Sequence, residues 1–149
     1  MNPFKEYFLG TFQKKYAIFT GRASRSEYWY FMLFSLLIII PAIFLFTYII
    51  ATATRGGDSR MLSFMTTGIL LMFWISWIIP AIALSVRRLH DSGRSGWWYL
   101  LVFVPLGSLV LFIFTLLESQ PGRNKWGPNP WETEVEDEIS QHLIDDFSL

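Results

Sequence analysis

The most polar stretch between apolar runs, residues 85–99, places a histidine beside an aspartate among three arginines. His90 could act as a general base if a carboxylate such as Asp91 oriented its ring. Such chemistry also needs a nucleophile, a metal or a phosphate loop. The sequence contains no cysteine, no G-x-S-x-G or H-E-x-x-H motif and no phosphate-binding glycine loop. We therefore expect no enzymatic activity, no metal and no cofactor.

The arginines favour two other interpretations. At the level of lipid headgroups, guanidinium groups can form bidentate contacts with phosphates. The same groups could instead pair with carboxylates and lock helix ends in a fixed register. We favour this structural charge network, with a lipid headgroup site as the alternative. Both interpretations involve the same residues, which are Arg22, Arg25, Glu27, Arg87, Arg88, His90, Asp91 and Arg94.

Three apolar runs surround these residues and must position them. Residues 28–53, 62–86 and 97–117 carry no charged side chain, and 52% of the whole chain is hydrophobic. Each run reaches the length that a helix needs to cross about 30 Å of hydrocarbon. Ser24-Arg-Ser-Glu27 matches a helix capping box directly before the first run. The sequence therefore predicts an all-α, polytopic membrane protein with three transmembrane helices.

The third apolar run is interrupted by Pro105-Leu-Gly107 near its middle. This segment predicts either a kinked crossing or a re-entrant hairpin that leaves on the side where it entered. Because neither half is long enough to cross the bilayer alone, we expect a kinked crossing. A hairpin would return the C-terminal tail to the side of the N-terminus.

The N-terminal segment has aromatic residues every four positions, at Phe4, Phe8, Phe12 and Tyr16, with lysines elsewhere on the helical wheel. A basic polar face opposite an aromatic face is typical of a helix that lies in the membrane interface. We predict such an amphipathic helix over residues 3–19. The alternative is that its aromatic face packs on the membrane helices.

The C-terminal residues 131–149 form a tail that differs in character from a membrane domain spanning residues 1–130. Asn129 and Pro130 fit the N-cap and first position of a helix. Apolar residues then recur every four positions with acids between them, which predicts an acidic amphipathic helix. Anionic lipids would repel it, so we expect a protein partner, with a disordered tail as the alternative. The partner-binding residues are Trp131, Val135, Ile139 and Leu143.

Basic residues predict the orientation in the membrane. With three crossings, residues 1–27 and the loop from Arg87 to Arg94 share one side and contain eight Lys and Arg residues, against four on the other side. The positive-inside rule then places the N-terminus in the cytoplasm and the acidic tail outside.

Three motifs resemble a known family of bacterial membrane proteins, the domain of unknown function 805. Residues 12–31 are similar to its opening, residues 87–98 to its central signature, and Trp126-Gly-Pro-Asn-Pro130 to its closing motif. The resemblance covers roughly residues 8–130. It implies a small, multi-pass protein of the bacterial inner membrane and no assigned activity.

These observations favour an accessory or scaffold subunit that binds a membrane-protein partner or a second copy of itself. We expect contact with membrane lipids and none with nucleic acid. A small-solute transporter subunit and an anionic-lipid-binding protein are the alternatives. A transporter needs polar groups at mid-bilayer, where the predicted spans offer only hydroxyls such as Thr47, Ser76 and Ser108.

Overall fold

The structure, a computed structural model, describes residues 4–55 and 60–147, and these residues form helices and no strand. Contacts within the chain define two compact units. The first consists of Met1–Tyr16 and Trp29–Ala81, and the second of Ala17–Tyr28 and Ile82–Leu149. In chain order, the elements are a π-helical turn (Phe4–Leu9), α1 (Gly10–Lys14), α2 (Arg25–Arg55), α3 (Arg60–Asp91), a 3₁₀ segment (Gly96–Phe103), α4 (Gly107–Leu116) and α5 (Pro130–Phe147).

Helices α2 and α3 are long and apolar enough to cross a membrane. Only 6% of the apolar window of α2 and 28% of that of α3 is buried within the protein. The core helix of a soluble protein would be mostly covered, so this exposure favours lipid as the surroundings of both helices. Pro41 and Pro80 lie inside the two helices, as bilayer helices tolerate.

In the first unit, α2 and α3 are antiparallel and the N-terminal segment packs on both of them. Phe8 stacks on Phe31 of α2 and contacts Trp77 of α3, with ring centroids 5.6 Å apart in each pair. The helix predicted over residues 3–19 is shorter than expected, because the α-helical part ends at Lys14, and residue 3 lies outside the described residues. Phe8 is buried by the protein whereas Phe4 is 37% exposed, so protein covers the aromatic face only in part.

In the second unit, residues 97–117 do not form the single kinked crossing that the sequence predicts. The rings of Trp98 and Phe114 are 5.8 Å apart, whereas a continuous helix would separate these positions by about 24 Å. The chain reverses at Val104–Leu106, and Leu106 adopts a left-handed conformation with φ of 63°. A side chain at Gly107 would place its Cβ 2.0 Å from the Leu101 carbonyl oxygen, so only glycine permits this approach.

The second arm of this hairpin and the residues after it return to the last turn of α3. The Gln120 amide donates a hydrogen bond of 2.9 Å to the Asp91 carbonyl oxygen, and Arg88 Nε donates one of 3.1 Å to the carbonyl oxygen of Thr115. We therefore call residues 96–116 the returning hairpin. The described helices include two candidate crossings instead of three.

Helix α5 begins at Pro130, where the cap pattern places its first position. The Asn129 Oδ1 atom accepts a hydrogen bond of 3.1 Å from the Trp131 amide, which satisfies one of the unpaired donors at a helix start. Residues 131–147 of the predicted tail are therefore helical, and residues 148–149 lie outside the described part of the chain.

Candidate functional site

The polar residues around the returning hairpin form a buried cluster that begins at the start of α2. Ser24 caps this helix, since its Oγ accepts a hydrogen bond of 3.2 Å from the Glu27 amide. The Ala23 amide donates to the carbonyl oxygen of Arg87 at 3.2 Å. The first bond caps α2, and the second holds the residue before Ser24 against the end of α3, where the other charged residues lie.

Asp91 is the centre of this cluster and is fully buried. Arg22 Nε donates to its Oδ1 at 2.9 Å, while the Arg88 guanidinium and the Ser119 hydroxyl donate to its Oδ2. A buried carboxylate is tolerated only when it is paired and hydrogen-bonded, and here both oxygens are occupied. Asp91 therefore joins three separate parts of the chain, at Arg22, at the end of α3 and at Ser119.

Arg88 and Arg22 direct their remaining N–H groups at backbone carbonyl oxygens. The Arg88 guanidinium donates to Thr115, Leu117 and Ala23, and that of Arg22 donates to Gly122 at 2.7 Å and to Gln120. Because these donors are used inside the protein, they are not available to a lipid phosphate. The hydrogen bonds of these two guanidinium groups therefore hold the hairpin and the turn that follows it against the end of α3.

Arg87 and Glu27 form a second buried ion pair, with Arg87 NH1 2.8 Å from Glu27 Oε1. The Nε and NH2 atoms of Arg87 are buried and have no hydrogen-bond partner among the described residues. The Arg87 guanidinium therefore makes far fewer contacts than that of Arg88.

His90 stacks on Trp126, with ring centroids 4.4 Å apart and ring planes at 10°. Its Nδ1 lies 3.2 Å from the Gly21 carbonyl oxygen. Asp91 is its neighbour in sequence, but the oxygens of that carboxylate are occupied by Arg22, Arg88 and Ser119. The general-base arrangement considered from the sequence, in which a carboxylate orients His90, is therefore not assembled.

Arg25 and Arg94 lie at the margin of the cluster. Arg25 Nε donates to the Leu117 carbonyl oxygen at 3.0 Å, and its NH2 is 3.9 Å from the exposed carboxylate of Glu118. The Arg94 guanidinium lies 4.0 Å from the centre of the Phe114 ring, in a cation–π arrangement. Of the cations predicted to meet lipid, Arg25 keeps a substantially exposed side chain.

An open cavity of about 520 Å³ adjoins Arg25. Its lining combines hydroxyl groups, one cation, one carboxylate, one carboxamide and one indole ring, contributed by Ser24, Arg25, Ser26, Glu118, Ser119, Asn129 and Trp131. A cavity with this lining can accept a small polar group that carries charge.

The start of α5 borders this cavity and is tied to the preceding turn by Glu132. The Gly122 amide and the Asn129 side-chain amide each donate to Glu132 Oε1 at 3.0 Å. These hydrogen bonds, that of Gly122 first, lower the pKa of the Glu132 carboxyl group below its ordinary value.

The predicted partner-binding residues lie along α5. Trp131, Ile139 and Leu143 are 62%, 56% and 51% exposed, and Val135 is partly exposed. Apolar side chains spaced by four residues share one side of a helix, so they form a stripe that the described part of the protein leaves open.

Sequence reasoning missed the carbonyl oxygens that complete the cluster, together with Ser119, Asn124 and Trp126. Asn124 Nδ2 donates to the His90 carbonyl oxygen at 3.0 Å, and Trp126 stacks on the His90 ring. The turn-forming composition of residues 121–130 was the feature of the sequence that could have indicated this part of the site. Side-chain type alone does not reveal which backbone oxygens a turn will present.

Comparison with known proteins places the chain in a family. A model of the family described as "Protein of unknown function (DUF805)" matches residues 16–128. The Escherichia coli K12 protein named "Inner membrane protein YhaI" is 39% identical over 118 residues, which cover 78% of this chain and 89% of that relative. "Inner membrane protein YhaH" from the same organism is 34% identical over 122 residues, covering 78% and 90%.

No solved structure matches the chain significantly. The three motifs that resemble the family lie within or overlap the matched residues, and each contributes to the site, through Arg22, Asp91 and Trp126 respectively. The chain belongs to the DUF805 family.

Proposed function

We propose that this chain is a non-catalytic accessory or scaffold subunit of the inner membrane that binds a membrane-protein partner through α5. The observation that carries the proposal is the open apolar stripe of α5, set among acidic residues. Eight of the twelve Asp and Glu residues of the chain lie in residues 118–149. Such a helix fits a protein surface that is apolar at its centre and basic at its rim.

The membrane location is supported by two observations. Helices α2 and α3 are long, apolar and largely uncovered. The relatives YhaH and YhaI are both named inner membrane proteins. In the proposed arrangement, α2 and α3 each cross the bilayer, and the returning hairpin does not.

The proposed orientation follows from the distribution of basic residues. With two crossings, the N-terminal segment and all residues after α3 share one side. Ten of the twelve Lys and Arg residues then lie on that side or at its helix ends, and Arg55 and Arg60 are the remaining two. The positive-inside rule favours the cytoplasm for this side, so α5 faces cytoplasmic surfaces.

The buried cluster supports the scaffold role because it is built for rigidity. Its arginine donors bind carboxylates and carbonyl oxygens of this same chain, and it connects α2, α3, the returning hairpin and the turn before α5. A subunit that presents α5 to a partner needs such a fixed base.

The experiment is site-specific photo-crosslinking from α5 in native membranes. A photoreactive residue at Ile139 should give a crosslink to a single protein species, while the same residue at Ser140, on a neighbouring face, should not. An Ile139→Ser/Leu143→Ser double variant should lose the complex, and Ser140→Gln should retain it. Crosslinks to a second copy of the chain would make the scaffold a homo-oligomer. No protein crosslink from either position would refute the proposal.

A second candidate function is binding of a phospholipid headgroup, favoured by the cavity beside Arg25. Its cation and hydroxyl groups fit a phosphate, and Trp131 is an interfacial residue type. Native mass spectrometry of the purified protein tests this function. Arg25→Gln should reduce retained phospholipid at least several-fold, whereas Arg123→Gln, at an exposed cation outside the cavity, should not. Equal retention in both variants would exclude the cavity as a headgroup site.

A further inference from the structure

The returning hairpin exposes more apolar surface at its tip than an aqueous loop tolerates. Phe103 and Leu106, on either side of the reversal, are 81% and 76% exposed. Contiguous exposed apolar residues on a soluble surface mark a site that is covered by something else. Pro105 lies between them, so the tip carries no charged or strongly polar side chain.

The hairpin runs back along the last turns of α3. Gly96 lies against Val86 and His90, where an added Cβ would be 2.7 Å from Val86 Cγ1 and 3.3 Å from His90 Nε2. Three residues later, Tyr99 lies near Tyr28, whose side chain hydrogen bonds to Ser85 of α3. The chain therefore reverses after Asp91 and runs back beside Val86 and Ser85.

The length of the hairpin matches one leaflet of a bilayer. The 3₁₀ segment has 8 residues and α4 has 10, which correspond to about 16 Å and 15 Å. Half of a hydrocarbon core of about 30 Å is about 15 Å. Neither arm can cross, and each can reach the bilayer midplane.

The backbone of the tip is compatible with hydrocarbon. The Val104 amide donates to the Leu101 carbonyl oxygen at 3.0 Å, and the Gly107 amide donates to that of Val104 at 2.9 Å. Pro105 has no N–H group. Most loops are excluded from the bilayer because backbone groups without hydrogen bonds cost free energy in hydrocarbon. The two hydrogen bonds at the tip remove much of this cost.

The base of the hairpin has the residues of a membrane interface. Trp97 and Trp98 follow Arg94 and Ser95 at the start of the first arm, and both indole rings are exposed. Trp is enriched at the headgroup level, where its ring spans polar and apolar surroundings. The charged residues behind it, Arg88 and Asp91, are already satisfied inside the protein.

From these observations, we infer that the returning hairpin inserts into one leaflet only, with its tip among the acyl chains of the cytoplasmic leaflet. Its partner is therefore lipid hydrocarbon. A shallow apolar depression of about 310 Å³ along the 3₁₀ segment, lined mainly by Trp97, Trp98, Leu100, Leu101 and Val104, offers a surface against which acyl chains can pack. The inference rests on the proposed two-crossing topology, because that topology defines the leaflet.

The chain has no cysteine, so single-cysteine labelling of the full-length protein in vesicles of defined orientation tests the inference. Phe103→Cys and Leu106→Cys report on the tip. Arg123→Cys is the cytoplasmic control, and Ser59→Cys, between α2 and α3 in sequence, is the control for the opposite side. We expect a membrane-impermeant maleimide to label each control from its own side and to label neither tip position until the membrane is dissolved.

A depth measurement gives the tip position independently. A bimane group on Leu106→Cys should be quenched at least two-fold more by lipids that carry a spin label deep in the acyl chain than by a headgroup label. The reverse order should hold for a bimane group on Arg123→Cys. Stronger quenching of the Leu106→Cys probe by the headgroup label would overturn the inference.

The possible failures are distinguishable. Labelling of the tip from the Ser59 side would mean that the segment crosses, and labelling from the Arg123 side would mean that the hairpin stays in water. Either result overturns the inference. If Arg123→Cys and Ser59→Cys were labelled from the same side, the two-crossing topology would itself be refuted.

Discussion

Arg22 and Asp91 lie 69 positions apart in the chain, yet Arg22 Nε is 2.9 Å from Asp91 Oδ1 and both side chains are excluded from solvent. The segment directly before α2 and the end of α3 are thus joined by a buried ion pair. Arg88 and Ser119 share the same carboxylate, so the loss of its charge affects all three donors.

Replacing Asp91 by asparagine should therefore be strongly destabilising. Asp91→Asn leaves two buried guanidinium groups without their counter-charge, which typically costs about 3–5 kcal/mol. Chemical unfolding in detergent, followed by circular dichroism, measures this change. Arg123→Gln, at an exposed cation, is the matched control and should change the free energy of unfolding by less than about 0.5 kcal/mol. A similarly small effect of Asp91→Asn would show that the cluster does not stabilise the fold.

Adjacent arginines at the end of α3 should respond differently to lysine. Arg87 makes its ion pair through NH1 alone, whereas Arg88 donates from Nε, NH1 and NH2. A lysine ammonium can replace one such contact but not a planar set of three. Arg87→Lys should cost about 1 kcal/mol or less, and Arg88→Lys about 3 kcal/mol, since each charge-assisted hydrogen bond contributes about 1.5–3 kcal/mol.

The same unfolding measurement compares the two variants directly. Each residue is buried and each variant conserves charge, so Arg87→Lys serves as the control for Arg88→Lys. Equal destabilisation of the two would contradict the pairing described here.

The reversal of the hairpin should depend on Gly107. An alanine there would bring its Cβ within 2.0 Å of the Leu101 carbonyl oxygen, and this overlap involves backbone on both sides. Gly107→Ala should lower the midpoint of thermal unfolding by an amount equivalent to about 1–3 kcal/mol.

Gly68→Ala in α3 is the matched control, because a Cβ at Gly68 meets no atom within 4 Å. Alanine is the better helix former, so this change should be neutral or slightly stabilising. If the two variants unfold at the same temperature, the close approach at Gly107 is not needed.

Acidification should weaken the connection between Glu132 and Gly122. The pKa of Glu132 is lowered in the folded protein, chiefly by the Gly122 amide and then by Asn129. The stabilisation is therefore fully present above the carboxyl pKa of the unfolded chain and is lost as the pH falls through the lower folded value. This loss of stabilisation therefore occurs below pH 4.5, which is the ordinary pKa of a glutamate carboxyl group.

Nuclear magnetic resonance of protein labelled with ¹⁵N-glycine follows this titration at the Gly122 amide. The Gly122 shift should move with a midpoint below pH 4.5, and Glu132→Gln should abolish that movement. A midpoint at or above this value would contradict the hydrogen-bonded arrangement.

The sequence predicted the helical class, the start of α5 and the charged residues that meet at the helix ends. Charge-free runs and capping patterns are local signals, so α2, α3 and α5 could be located from them. The pairing within the cluster could not be predicted, because Asp91 is bound by residues as distant as Arg22 and Ser119.

The third apolar run was predicted to cross the membrane because its composition fits a kinked crossing as well as it fits a hairpin. Residues 97–117 are apolar enough to cross a membrane, and the proline alone would have produced a kink. The reversal depends on the left-handed Leu106 and on the close contact between Gly107 and Leu101. Such contacts follow from tertiary geometry and leave little trace in hydrophobic periodicity.

The positions of their hydrogen-bond partners in the chain also determine when Arg88 and Asp91 become buried during synthesis. Arg88 and Asp91 emerge from the ribosome before Thr115, Leu117 and Ser119, which complete their hydrogen bonds. Until that later segment arrives, these two charges lack part of the environment that makes their burial tolerable. During synthesis there is therefore an interval in which α2 and α3 are complete but Arg88 and Asp91 still lack these hydrogen-bond partners. Docking of the segment after α4 therefore completes the burial of these two charges.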